Sequence, residues 1–197
     1  RVLGVTVDNQ LCWQGHMCKM CKTISRNLFL LSKLKLFTDE GTRKLFYNAH
    51  IQSHIDYAST VWDGASEANT KQLNSLHRRS AKLIIDKQMC NISTDSKLVL
   101  LDMLPLPEKL VFNKLVFMYK ITHAKVPAYL SGLLPRTHKP YGTLRNDIVV
   151  PKPRIDIFKT SLAYSGAQLW NSLPKAIRQA PSLTSFKAQL HKHLSKD

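Results

Sequence analysis

Acidic residues are scarce in this chain, and no two aspartates are adjacent. Those weighed as paired metal ligands are Asp8 alone in a turn, Asp39-Glu40 at an expected helix start, and Asp56 and Asp63 seven apart. None forms a signature of phosphoryl or nucleotidyl transfer, which needs carboxylates converging on Mg²⁺. Asp39 and Glu40 are better read as capping residues. A Gly-rich phosphate loop, G-x-S-x-G and H-E-x-x-H are also missing, so no catalytic engine is visible. No apolar run approaches the ~18 residues that cross a bilayer, and the start does not read as a signal peptide; no membrane partner is expected. The four cysteines, Cys12, Cys18, Cys21 and Cys90, are expected to be free thiols of a reducing compartment. His16-x-Cys18-x-x-Cys21 lacks a second ligand pair for zinc, and Cys21 shares a helix face with Met17 and Ile24, as a small buried thiol would. His191 and His193 flank Lys192 in what reads as a solvated basic tail. No internal repeat or low-complexity tract is present.

What the chain has is positive charge. Lys and Arg number 29 against 13 acids over 197 residues, a formal net charge of +16. The excess is uneven, net +5 over residues 1–102 and net +11 over 103–197. Such a field attracts polyanions and makes their binding steeply salt-dependent, so nucleic acid is the expected partner; the competing reading is a basic helical protein whose charges are only solvated faces.

The pattern is mainly α. Val2, Leu3, Val5 and Val7 predict one N-terminal strand already under way at the first residue, as in a severed chain. From Trp13, the spacing of Met17, Met20, Cys21, Ile24, Leu28 and Leu31 predicts an amphipathic helix. A second helix is expected from a Thr38 cap to about Trp62, with Leu45, Phe46, Ala49, Ile55 and Ala58 facing inward and Asp63-Gly64 ending it. In the third, Leu73, Leu76, Ala81, Leu83 and Ile84 form the buried stripe, while Lys71, His77, Arg78, Arg79 and Lys82 make a basic face able to lie along phosphates. A fourth runs from about Pro107 to His123. Residues 126–153 read as a long, Pro-rich basic loop, perforated by prolines at 127, 135, 140, 151 and 153, with room for one short helix. Helix, Pro break, short helix and a last helix capped by Ser182, with Leu183, Phe186 and Leu190 inside, complete the chain. Trp13, Trp62 and Trp170 sit among apolar helical neighbours and are read as core anchors rather than stacking platforms. Phe117 and Tyr119 are expected to divide between core and surface. The candidate nucleic-acid-binding residues are Lys71, Arg78, Arg79 and Lys82 on the third helix, with Arg136, Lys139, Arg145, Lys152 and Arg154 of the basic loop.

Four stretches together resemble the reverse transcriptase polyproteins of non-LTR (LINE-type) retrotransposons. In "LGVTVDNQLCWQGHM", Leu3, Gly4, Val5, Asp8, Leu11, Trp13 and His16 match the family segment that closes the polymerase palm. In "LFYNAHIQSHIDYASTVWDGAS", Tyr47, Ile51, His54, Tyr57, Val61 and Trp62 match the following thumb helix, with Ser53 where the family often has Pro. "LNSLHRRSAKLII" and "FKTSLAYSGAQLWNSLPKAIRQAPSLTSFKAQLHKHL" resemble later family segments, so the similarity covers Leu3 to Leu194. The resemblance implies a palm-strand remnant over 1–12, a thumb-like helical domain over 13–103 and a basic C-terminal helical region over 104–197. The family's Tyr/Phe-x-Asp-Asp turn and earlier Asp, which hold two Mg²⁺ ions, would lie upstream, so no catalytic residue carries over. Mg²⁺ is implied for the parent polymerase alone, and no cofactor for this chain. The implied role is template–primer grip beside the upstream palm and fingers, inside the cell, in nucleus or cytoplasm. A helical interaction or scaffold protein, a domesticated remnant whose basic faces meet acidic partners, is the alternative. A third reading is a product that does not fold stably, because the strand at residues 2–7 would have lost its sheet neighbours.

Overall fold

The computed structural model describes residues 2–85, 92–131 and 148–195. The chain divides into two compact units, Arg1–Lys109 and Leu110–Asp197. Both are helical, and no sheet forms among the described residues.

The first unit is built on two long helices, α1 (Gln14–Leu34) and α5 (Glu67–Ile84), packed against each other. Every α1 residue of the expected stripe is buried: Met17, Met20, Cys21, Ile24, Leu28 and Leu31. They meet Leu73, Ala81 and Ile84 in a core that also takes in Tyr47, Ile51, Ile55 and Trp62. Between these helices lie α2 (Glu40–Tyr47), α3 (Ser53–Asp56) and α4 (Ser59–Trp62). The cap of α2 is Asp39, whose carboxylate accepts from the Thr42 amide; Thr38 instead donates its hydroxyl to the Leu34 carbonyl at 2.7 Å. The acid outcompetes the hydroxyl because its charge also faces the positive end of the helix dipole.

The single helix expected from 38 to 62 is broken in two places. A π-turn over Asn48–Gln52 widens the backbone, and Ala58, at φ 50°, interrupts it before α4. The inward row is therefore Arg43, Tyr47, Ile51 and Ile55, while Leu45 and Ala49 point outward and Phe46 and Ala58 are half-buried. The expected strand at 2–7 is a tight turn. Leu3 and Gly4 both have positive φ, and Val2 and Val5 exchange backbone bonds of 2.9 Å. Without a neighbouring strand, valines cannot hold an extended ladder and the backbone pairs with itself across two residues, the geometry Gly4 permits. Asp8 then organises the approach to α1, its carboxylate accepting from the amides of Gln10, Cys12 and Trp13 at 3.1, 2.8 and 2.7 Å. These bonds, that of Cys12 foremost, hold its pKa below the usual value. A short helix absent from the sequence reading, α6 (Thr94–Leu100), is capped by Ser93, and α7 (Leu106–Thr122) follows.

The second unit surrounds the later part of α7. Leu115, Met118, Tyr119 and Ile121 pack with Trp170, Phe186 and Leu190. Tyr119 stacks on Phe186 at 4.5 Å and donates its hydroxyl to the Ala180 carbonyl at 2.9 Å, so it belongs to the core while Phe117 is half-buried. The remaining elements are α8 (Ala128–Ser131), α9 (Asp156–Lys159), a π-turn over Leu162–Gly166, α10 (Ala167–Ser172), α11 (Lys175–Arg178) and α12 (Leu183–Leu194). Ser182 caps α12 as expected, through the Ser185 amide at 3.1 Å. Asn171 ties α10 to Ile148, donating to its carbonyl at 2.9 Å and accepting from its amide at 3.0 Å. All three tryptophans are buried.

Candidate nucleic-acid interface

Two rows with the same step run along α5, and they face opposite ways. Leu73, His77, Ser80 and Ile84, at i, i+4, i+7 and i+11, are buried. Lys71, Ser75, Arg78 and Lys82 repeat that spacing two residues earlier. A shift of two residues turns about 200° around a helix, so the second row points away from the core. Along it the rises are about 6, 4.5 and 6 Å. These four residues, with Asn74 and Arg79, line an open depression of ≈ 560 Å³.

The end of α5 is fixed by two cations from earlier in the chain. Lys35 donates through Nζ to the carbonyls of Ile85 and Lys82 at 2.7 and 3.2 Å. Arg43, buried, donates through Nε to Ile84 O at 2.7 Å and through Nη1 to Thr38 O. Carbonyls left over at a helix C-terminus carry partial negative charge, which these side chains satisfy. Neither residue was singled out from the sequence, because the α5 carbonyls they hold lie 41 to 50 positions away.

The four cations of the face are not equally available. Lys71 pairs with Glu67 at 2.8 Å across one exposed turn, an arrangement that contributes little in water. Arg78 is held by Asp95 of α6 in a two-point fork, Nη1 to Oδ1 at 2.6 Å and Nη2 to Oδ2 at 3.2 Å. Arg79 and Lys82 are exposed and have no ion pair among the described residues.

His77 does not belong to this basic face. It is 1% exposed, with Nε2 donating to the Leu104 carbonyl at 3.0 Å and Nδ1 lying 2.9 Å from the Tyr47 hydroxyl. The hydroxyl also bonds Gln52 Oε1, and Gln52 Nε2 donates to Asp56 at 2.9 Å, which in turn pairs with Lys109 at 3.2 Å. Burial pushes the imidazole pKa below its ordinary value, and the bond to Leu104 pulls the other way. The spacing Leu73, His77, Ile84 was the signal for this inward position, and residue type had masked it.

No family model, curated protein or solved structure matches the chain.

Of the remaining candidates, Lys152 and Arg154 are exposed in the irregular stretch before α9, in the second unit. Arg136, Lys139 and Arg145 lie outside the described residues, as does Cys90. The structure thus brings four of the nine candidates, Lys71, Arg78, Arg79 and Lys82, onto one face. Cys21 is buried and its thiol pKa raised by that burial, while Cys18 is exposed, so the two thiols of the Cys-x-x-Cys pair diverge. Among the described residues no group of three or more His, Cys, Asp or Glu is placed to hold a metal ion, and no helix is long and apolar enough to cross a membrane.

Proposed function

We propose that this chain grips the phosphate backbone of nucleic acid through the outer face of α5, as the thumb and C-terminal region of a non-LTR retrotransposon reverse transcriptase would, without catalysing polymerisation itself. The observation that carries this reading is the row Lys71, Ser75, Arg78, Lys82, set opposite the core with Arg79 beside it. Phosphates recur every ~3.4 Å along one strand, so the ~16.5 Å from Lys71 to Lys82 accompanies about five of them. Such contacts position a strand without reading its sequence.

The test is fluorescence anisotropy of a labelled template–primer duplex across a salt series. Binding should weaken linearly in log–log form. The triple variant K71A/R79A/K82A should flatten the slope by two to three units, at about 0.9 per phosphate contact on a duplex. An unchanged slope refutes the assignment of this face. Primer extension with Mg²⁺ and dNTPs should give no incorporation above a heat-killed control, and incorporation would refute the non-catalytic reading. The alternative of a protein-binding scaffold draws on the exposed Leu36, Phe37 and Leu45 of the first unit, and absence of nucleic-acid binding at low salt would favour it.

A further inference from the structure

Resting on that reading, we propose that Asp95 competes with backbone phosphate for Arg78, so that the first turn of α6 is a built-in competitor at one position of the α5 face. Arg78 is the only residue of the outward row Lys71, Ser75, Arg78, Lys82 whose ion pair, among the described residues, reaches another helix. The contact is the planar two-point fork, 2.6 and 3.2 Å, that a guanidinium presents equally to carboxylate or phosphate. Both partners are open to water, with side chains 38% and 65% exposed, so the exchange needs no burial of charge at either end. Asp95 is not stranded when Arg78 leaves. It stands in the first turn of α6, where the helix dipole favours a negative charge and the Ser93 hydroxyl already accepts from the Ser96 amide.

Two consequences follow. In the free protein Arg78 links α5 to α6, and in the complex the same side chain holds a phosphate, so binding loosens α6. The carboxylate also lowers affinity for every polyanion by a constant factor, because any ligand must first displace it. Glu67 has no such effect across elements, since its bond to Lys71 stays within α5.

The experiment measures binding of a labelled single-stranded 20-mer at one low salt concentration by wild type, D95N, R78Q, D95N/R78Q and D156N. Asp156 pairs with Lys159 in the second unit, so D156N makes the same change in net charge without touching α5. D95N is expected to bind roughly two- to fivefold more tightly than D156N, the range of an exposed ion pair, and the gain should vanish in the R78Q background. Hydrogen exchange supplies a second readout that does not depend on affinity: oligonucleotide should accelerate exchange of the 94–100 amides in wild type and not in R78Q. Equal binding by D95N and D156N, or a gain that persists without Arg78, overturns the competition while leaving the phosphate-grip reading in place. Failure of every variant, D95N included, to bind overturns both.

Discussion

Substituting His77 tests the buried side of α5, and His77→Gln is the informative change. The ring is enclosed, with the Leu104 carbonyl at 3.0 Å requiring a proton on Nε2 and the Tyr47 hydroxyl at 2.9 Å from Nδ1. Tyr47 and Leu104 are its polar contacts, Gln52 stands behind the Tyr47 hydroxyl, and Asp56, Lys109 and Arg78 are the charges that reach it. Burial is the largest influence and lowers the folded-state pKa below 6.5. The unfolded chain therefore binds more protons than the folded one as the medium is acidified. The neutral ring's contribution is complete above pH 6.5, and it is lost as pH falls from there toward the lowered value. With a single proton at stake, the loss between pH 7.5 and 5.5 is at most about 1.4 kcal/mol, a few degrees in Tm. Urea titrations at pH 7.5, 6.5 and 5.5 measure it. H77Q should be less stable than wild type at pH 7.5 but lose less on acidification, the difference in loss approaching the ~1.4 kcal/mol bound. Asp8, Asp39 and Asp156, with pKa values lowered from 3.8, contribute stability that is lost only under stronger acid and stay outside this window. Equal losses in the two proteins would refute the reasoning. They would mean that the folded ring titrates as the unfolded one does, the Leu104 bond and the Asp56 charge offsetting its burial.

R43M removes the guanidinium that holds Ile84 O and Thr38 O and leaves both carbonyls without that donor; a loss of about 3 kcal/mol or more is expected from urea unfolding, with R43K recovering part of it. Y119F deletes one buried bond to Ala180 O and should cost about 1–2 kcal/mol by the same measurement, with the stacking on Phe186 retained. D8A removes the acceptor for the amides of Gln10, Cys12 and Trp13 and should speed hydrogen exchange at those positions while leaving the centre of α1 protected.

The stripe of α1 was legible because nothing interrupts its period between Met17 and Leu31, and the same holds for Ser182 and the helix it caps. The segment from 38 to 62 was misread for the opposite reason. In α2 the inward row starts at Arg43, whose charge marks it as a surface residue and hides the step to Tyr47; beyond it the π-turn over Asn48–Gln52 and Ala58 interrupt the period. Residues 2–7 have strand composition, but a strand requires a partner, and composition alone does not supply one. The outward row of α5 was visible in part, as charges on a helix whose apolar face was already placed. Its relation to Asp95 was not, because an ion pair 17 positions away has no periodic trace. Lys35 and Arg43 were hidden in the same manner, as cations whose work is done on backbone carbonyls.

The unequal ends of α5 make it a cantilever. Its last turn is clamped by Lys35 and Arg43, whereas at its first turn the Ser66 side chain makes no capping bond. A strand pulling on Lys82 acts beside the support, and one pulling on Lys71 acts near the turn that has no side-chain cap, which the core holds only from Leu73 onward. Compliance should therefore rise toward residue 67, letting the beam settle against phosphates of uneven spacing at one end while the other keeps its register with the body of the protein.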